Sequence, residues 1–251
     1  MKRRGFQLSL VILVLLCTNL NAQKVTFGFK GGMSIPNLTT GGSQTPLNAG
    51  YSSNLRGCGG IFGEYHLTKK FSVSVGAEYS TQGGVMERYE TLVKDELPSV
   101  TLYSDYKYES KLDYVLVPVL ARFNWQKKRS PLKWYAAFGP FAGYLIKANN
   151  VRSYRANYLD KEYSSLYSET YSYDKTDMKD ELYTFNVGLE LLAGISYNLS
   201  KKHALFIEGG GNYGFLSITR AADNTRNYSG AATVSLGYAY TFQKQRRGWG
   251  R

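Results

Sequence analysis

Residues 231–242, AATVSLGYAYTF, place a large apolar side chain at every second position. Val234, Leu236, Tyr238, Tyr240 and Phe242 alternate with Thr233, Ser235, Gly237, Ala239 and Thr241. A period of two belongs to a β-strand, whose successive side chains leave opposite faces. One face of this strand is therefore greasy and the other small or polar. In a soluble sheet the greasy face would be the core, so its meaning depends on the rest of the chain.

Seven more segments carry strand patterns: 25–35, 55–66, 71–81, 112–125, 132–148, 182–198 and 204–218. The alternation is sharp at 71–81, where Phe71, Val73, Val75, Ala77 and Tyr79 oppose Ser72, Ser74, Gly76, Glu78 and Ser80. Pro118 cannot donate to a ladder, so it should mark a bulge or a weak point in pairing. Three connections are short: 67–70, 126–131 and 199–203. The others, 36–54, 82–111, 149–181 and 219–228, are longer and polar, and read as loops. Short turns on one side, longer loops on the other and an even strand count fit a transmembrane β-barrel. A soluble ligand-binding barrel is also up-and-down, but it would turn its large apolar residues inward. Here the faces opposite the greasy ones hold mainly Gly, Ser, Thr and a few charges, too little bulk for a soluble core. The expected fold is all-β, an eight-stranded antiparallel up-and-down transmembrane β-barrel, with residues 231–242 as its closing strand.

The N-terminus fits export. Lys2, Arg3 and Arg4 precede an apolar run at 8–16, and Asn21-Ala22 offers a cleavage site. This predicts a cleaved signal peptide at 1–22, a barrel at 23–242 and a basic tail at 243–251. Processing as a lipoprotein at Cys17 competes, although Leu16 is bulky where such signals want a small residue. Cleavage removes three of the 31 basic residues and none of the 19 acidic ones, so the mature chain carries +9. Only Cys58 then remains, which excludes an internal disulfide. Export also argues against nucleic acid as the partner of this positive charge. The expected location is the outer membrane, with both termini periplasmic, membrane lipid as the first partner and a monomeric barrel.

The charge is unevenly placed. The three short turns and the tail hold eleven basic residues and no acidic one, while 82–111 and 149–181 are each −2. A basic rim suits anionic headgroups; solvated turns would also be basic or acidic without further purpose. By parity, Lys30, Arg56 and Arg122 face inward with Glu64, Glu78, Glu190 and Glu208. An eight-stranded barrel is just wide enough to be filled by its own side chains. Charges there must pair, because an isolated buried charge is costly. The expectation is a salt-bridge network plugging the lumen, with a narrow ion path as the alternative.

No catalytic, cofactor or metal residues are predicted. The two histidines, His66 and His203, adjoin short turns, and the sequence lacks H-E-x-x-H, G-x-S-x-G and phosphate-loop motifs. The main binding feature is the run Tyr154, Tyr158, Tyr163, Tyr167, Tyr171 and Tyr173. Tyrosine gives broad amphipathic contact at low entropic cost, which suits a surface-binding loop. It is also a good strand former, and on that ground the favoured reading is that the strands on either side extend beyond the membrane as a tyrosine-rich hairpin.

The Ala22-Gln23 junction, LDYVLVPVLARF at 112–123, FGPFAGYLI at 138–146 and GYAYTF at 237–242 resemble the PorT-like outer-membrane β-barrel family. The resemblance spans most of the mature chain and rests on strand patterns. It implies an eight-stranded outer-membrane barrel of OmpA/OmpX size and, for some members, a role in type IX secretion and gliding. It implies no catalytic residues. One departure is that nine residues follow Phe242. The function expected is structural, assembly or surface interaction, with secretion-system or surface proteins as partners. A small-solute porin is the alternative, and a lipid-modifying barrel enzyme a more distant one.

Overall fold

The computed structural model describes residues 24–41, 51–52, 54–93, 100–160, 165–220 and 226–242. The signal peptide, Cys17 and the basic tail expected at 243–251 lie outside them. The described chain forms ten strands: β1 (Val25–Gly41), β2 (Tyr51–Ser52), β3 (Arg56–His66), β4 (Phe71–Val93), β5 (Val100–Gln126), β6 (Leu132–Asp160), β7 (Ser165–Asp177), β8 (Phe185–Asn198), β9 (His203–Gly214) and β10 (Arg226–Phe242). A single 3-10 turn, Lys179–Glu181, separates β7 from β8. No described helix is long and apolar enough to cross a membrane.

Eight of the strands close on themselves in the order β1, β3, β4, β5, β6, β8, β9, β10. Every neighbouring pair is antiparallel. The ring is completed by β10, which pairs with β9 on one side and with β1 on the other, from Val25↔Phe242 to Gly41↔Arg226. The two remaining strands are accessory: β2 pairs with β4, and β7 with β6. Closure leaves no strand of the ring with an open edge, which is the condition for crossing lipid with strands.

The alternation read from the sequence now has a direction. Phe29, Met33, Ile61, Phe138, Leu191, Val234 and Leu236 are among the large apolar residues that stay more than half exposed. They form an outward band. Aromatic residues gather at the end that carries the short turns. Trp125 pairs with Trp134 across β5 and β6, and Phe242 packs edge-on to Phe27 at 5.8 Å between ring centres. Such a band with aromatics at its rim is the outer surface of a membrane barrel.

Pro118 does weaken pairing, without a bulge. The β4–β5 ladder passes from Val75↔Val119 to Glu78↔Leu116 in unchanged register. The register shift in this region lies between Asp113 and Tyr114 against β6.

Two corrections concern the long segments. Residues 82–111 and 149–181 were expected to be loops, from their polarity. Instead β4 and β5 stay paired to Val93↔Thr101, β5 and β6 to Val100↔Asp160, and β6 and β7 to Asp160↔Ser165. Polarity there reflects the absence of lipid, not the absence of a strand. β6 has 29 residues, where about ten suffice to cross a bilayer. Gly83, at φ 129°, lies where β4 leaves the apolar band; a Cβ there would run into the Ser110 carbonyl.

If the outward band faces lipid, Leu236→Arg, near its middle, should cost about 2–4 kcal/mol. Guanidinium unfolding of the barrel refolded into lipid vesicles measures this. A cost near zero would mean that the band faces water.

Candidate functional site

The lumen is built from the second face of the same strands. Lys30 on β1 reaches Glu78 on β4 and Glu208 on β9, each at 2.8 Å. Glu190 on β8 borders the same small cavity as Lys30 and Glu78. Tyr135 on β6 donates to the other Glu208 oxygen at 2.8 Å. One cation thus pairs with two carboxylates in the middle of the barrel. A buried oxygen of Glu190 has no hydrogen-bond partner among the described residues.

A second group lies nearer the short turns. Arg122 on β5 donates to Glu64 on β3 at 3.1 Å, and its guanidinium stacks 3.5 Å from the centre of the Tyr135 ring. Ser72 donates to Glu64 at 2.5 Å and in turn accepts from Asn124 at 3.0 Å. His66 approaches Glu64 at 3.6 Å through Nδ1 and meets Thr26 at 2.9 Å through Nε2. His203 lies apart, against Tyr238 and Tyr240. Arg56 joins neither group. It pairs with Glu109, towards the long-hairpin end. Cys58 is a free thiol, 3.8 Å from the Ser235 hydroxyl.

Charges do not fill the lumen alone, and this corrects the reading of the inner face as small and polar. Leu112, Tyr114, Leu116, Phe141, Leu145 and Ala148 form a buried apolar cluster with Leu182 and Ile218. Leu120, Ala137 and Leu192 form another, and Phe62, Tyr135, Phe206 and Ala239 a third. The inner faces of β5 and β6 supply most of this material. The signal was present at 114–120, where both parities are apolar and neither stands out as the lipid face. Tyr135, Ser72, Asn124 and Glu109 were also missed. The first three are neutral residues whose role depends on register, and Glu109 lay in a segment read as loop.

The cavities left between these groups are small. One of about 20 Å³ is bordered by Lys30, Phe62, Arg122, Tyr135 and Glu208, and one of about 10 Å³ by Glu78, Glu190, Asn212 and Ser235. Each holds about one water molecule. No group of His, Cys, Asp or Glu among the described residues has the arrangement of a metal site.

The tyrosine run falls on β6 and β7, with Tyr163 outside the described residues. The paired positions are Tyr154↔Tyr171, Tyr158↔Tyr167 and Arg152↔Tyr173. On the other side of β6, Tyr154 is opposite Tyr106, which is opposite Arg88 on β4. The rows on either side are Met86, Tyr108, Arg152, Tyr173 and Glu90, Ser104, Ala156, Glu169, and beyond the second come Leu92, Leu102, Tyr158, Tyr167. Residues opposite one another, and those two apart on one strand, share a face of a sheet. Seven tyrosine positions therefore share one face of a four-stranded sheet beyond the apolar band. The other parity is mostly Ser, Thr, Asn and charged residues, including Glu87, Asp105, Lys107 and Arg155.

Removing one partner of a buried pair strands the other. Glu64→Ala should destabilise the barrel by about 3 kcal/mol, since Arg122 is only 7% exposed. Glu64→Ala combined with Arg122→Met should recover most of the loss. Urea unfolding in detergent, run as a double-mutant cycle, measures both; additive costs would show that the pair is not coupled.

The chain is similar in structure to Neisserial surface protein A, at 14% identity and a TM-score of 0.37, with 88% of this chain and 97% of that one covered. It is also similar to the outer membrane protein OprG from Pseudomonas aeruginosa, at 12% identity and a TM-score of 0.40, covering 87% and 96%. No curated protein matches it. The model of the outer membrane protein beta-barrel domain family matches residues 21–220, and the chain belongs to that family.

Proposed function

We propose that this protein is a non-conducting outer-membrane barrel whose work is surface interaction. The observation that carries this reading is the length of β4, β5 and β6, which remain paired far past the apolar band and end in a tyrosine-lined sheet. The membrane part is then an anchor and the sheet is the working surface. On this reading the short turns and both termini face the periplasm, and the sheet stands outside the cell. Tyrosine-rich faces suit protein contacts, because each ring brings large area with few torsions to freeze.

The filled lumen supports the anchor role. Paired charges at the centre and apolar clusters beside them fill much of the lumen between the described residues, and the two cavities bordered by Lys30 and Glu78 are each about the size of one water, whereas a porin needs a continuous aqueous path. The histidines lie near the short turns, away from the sheet, and give no reason to assign enzymatic chemistry there. A role beside secretion machinery, which the resemblance to PorT-like barrels implies, would use the same sheet as its docking surface.

Two measurements test the proposal. Planar-bilayer recordings on the purified protein should show no reproducible steps above the leak; regular unitary conductance would overturn the plug and favour the porin. Deleting residues 158–174 should leave the barrel folded, as judged by heat-modifiable gel mobility. It should also abolish copurification of partner proteins from outer membranes in mild detergent. Partners that still copurify with the deletion would remove the sheet as the interaction surface.

A further inference from the structure

Charge is balanced unevenly along the axis of the barrel. At the centre Lys30 meets Glu78 and Glu208, and Glu190 lies beside them. Towards the short turns the acids run out. Glu64 is the last of them among the described residues, and Arg122, Ser72 and His66 already engage it. Below it the inward parity brings bases and no acid. Lys133 shares the inner face with Tyr135, and its cross-strand neighbours, Gln126 and Ser196, are neutral. It is half-buried and forms no ion pair with a described residue. Lys24 continues the inward parity of Thr26 and is exposed. β6 and β1 lie on opposite walls of the ring, so the two lysines flank the mouth from either side.

The three short turns surround this mouth. Each closes on itself, Leu67 with Phe71, Lys127 with Ser130 and Leu199 with His203. Together they carry seven lysines and arginines, all exposed, and no acid. A field of one sign is focused where low-dielectric walls enclose it, and here that place is the mouth of the barrel. A cation drawn part-way out of water also gains from an anionic partner, and the described chain supplies none to Lys133.

We propose that the short-turn mouth is a docking site for an acidic polypeptide segment. One carboxylate enters between Lys133 and Lys24, and its neighbours in the segment meet the turn lysines. The width of the mouth selects this ligand. An eight-stranded lumen admits side chains, so a carboxylate on a flexible stem reaches Lys133, whereas a phospholipid headgroup stays in the membrane plane around the rim. Turn charges alone would suit headgroups; Lys133 and Lys24 lie on the inner face, where there is no lipid. The tail of this chain does not fit, since residues 243–251 hold Lys244, Arg246, Arg247 and Arg251 and no acid. The site is at the opposite end from the tyrosine-lined sheet and does not depend on it. On the orientation proposed above it faces the periplasm, and its ligand belongs to a periplasmic protein.

The test uses the full-length protein in dodecylmaltoside micelles and a fluorescent synthetic peptide of alternating glutamate and serine, read by anisotropy. The peptide should bind, and its counterpart with glutamine for glutamate should not. Lys133→Gln should weaken binding about tenfold, whereas Lys128→Gln, which removes equal charge from an exposed turn, should weaken it about twofold. Both variants should keep heat-modifiable mobility. No binding, or equal losses in the two variants, overturns the mouth site. Inorganic phosphate matched in charge should displace little peptide; full displacement would mean a small-anion site and overturn the polypeptide. Nanodiscs of phosphatidylcholine, with or without anionic phosphatidylglycerol, should bind the peptide alike. Loss of binding with the anionic lipid would assign these cations to headgroups and overturn the proposal. Binding should survive deletion of residues 158–174; loss there would move the site to the sheet. A protein that copurifies with that deletion but not with Lys133→Gln is held by the mouth.

Discussion

Lipid offers no hydrogen bonds, and that constraint governs this molecule. A strand crossing a bilayer must find partners on both sides, so the ring has to close. Closure by β10 against β1 fixes the rest. Here it comes after eight strands, and eight strands set a lumen narrow enough to be filled by side chains. The inward positions must then pack or pair, and they do both. Leu112, Leu116 and Phe141 supply bulk, while Lys30 with Glu78 and Glu208, and Glu64 with Arg122, supply charge. The greasy outer band and the mixed interior are two consequences of one closure.

The same constraint lapses at the membrane surface. Beyond the band, strands need no closed ring, and β4 to β7 continue as an open sheet. Polarity changes hands there. Within the band the lipid face is uniformly apolar and the inner face mixed; beyond it one face is rich in tyrosine and the other is mostly polar. The change locates the boundary between lipid and water without reference to any helix or anchor.

The eight crossings were legible because lipid imposes a strict two-residue contrast, sharpest at 71–81 and 231–242. The strand extensions were not legible. In water neither face of 82–111 or 149–181 has to be greasy, so their alternation is blurred, and only pairing with a neighbour reveals them. The lumen was legible in part. Parity brings Lys30, Glu64, Glu78, Arg122, Glu190 and Glu208 to the inner side, but which groups meet depends on register and stagger between strands far apart in sequence. Arg56 shows the difficulty: its partner Glu109 lies 53 positions away, in a stretch that gives no strand signal alone. The largest apolar cluster was legible only in part: both faces of 114–120 are hydrophobic, so the stretch marks burial on two sides without saying which side is the lumen.

The pairing of the first barrel strand with the last also dictates the order in which the molecule is completed. Val25 meets Phe242, so the seam joins residues at opposite ends of the barrel sequence. Contacts of such separation form late and slowly, since nearly the whole chain is the loop that must close. Until the final strand arrives, two unpaired edges and a greasy face remain open to misassociation. The nascent chain therefore has reason to be escorted until β10 is delivered, and a truncation within β10 would harm biogenesis far more than the loss of one strand in eight suggests.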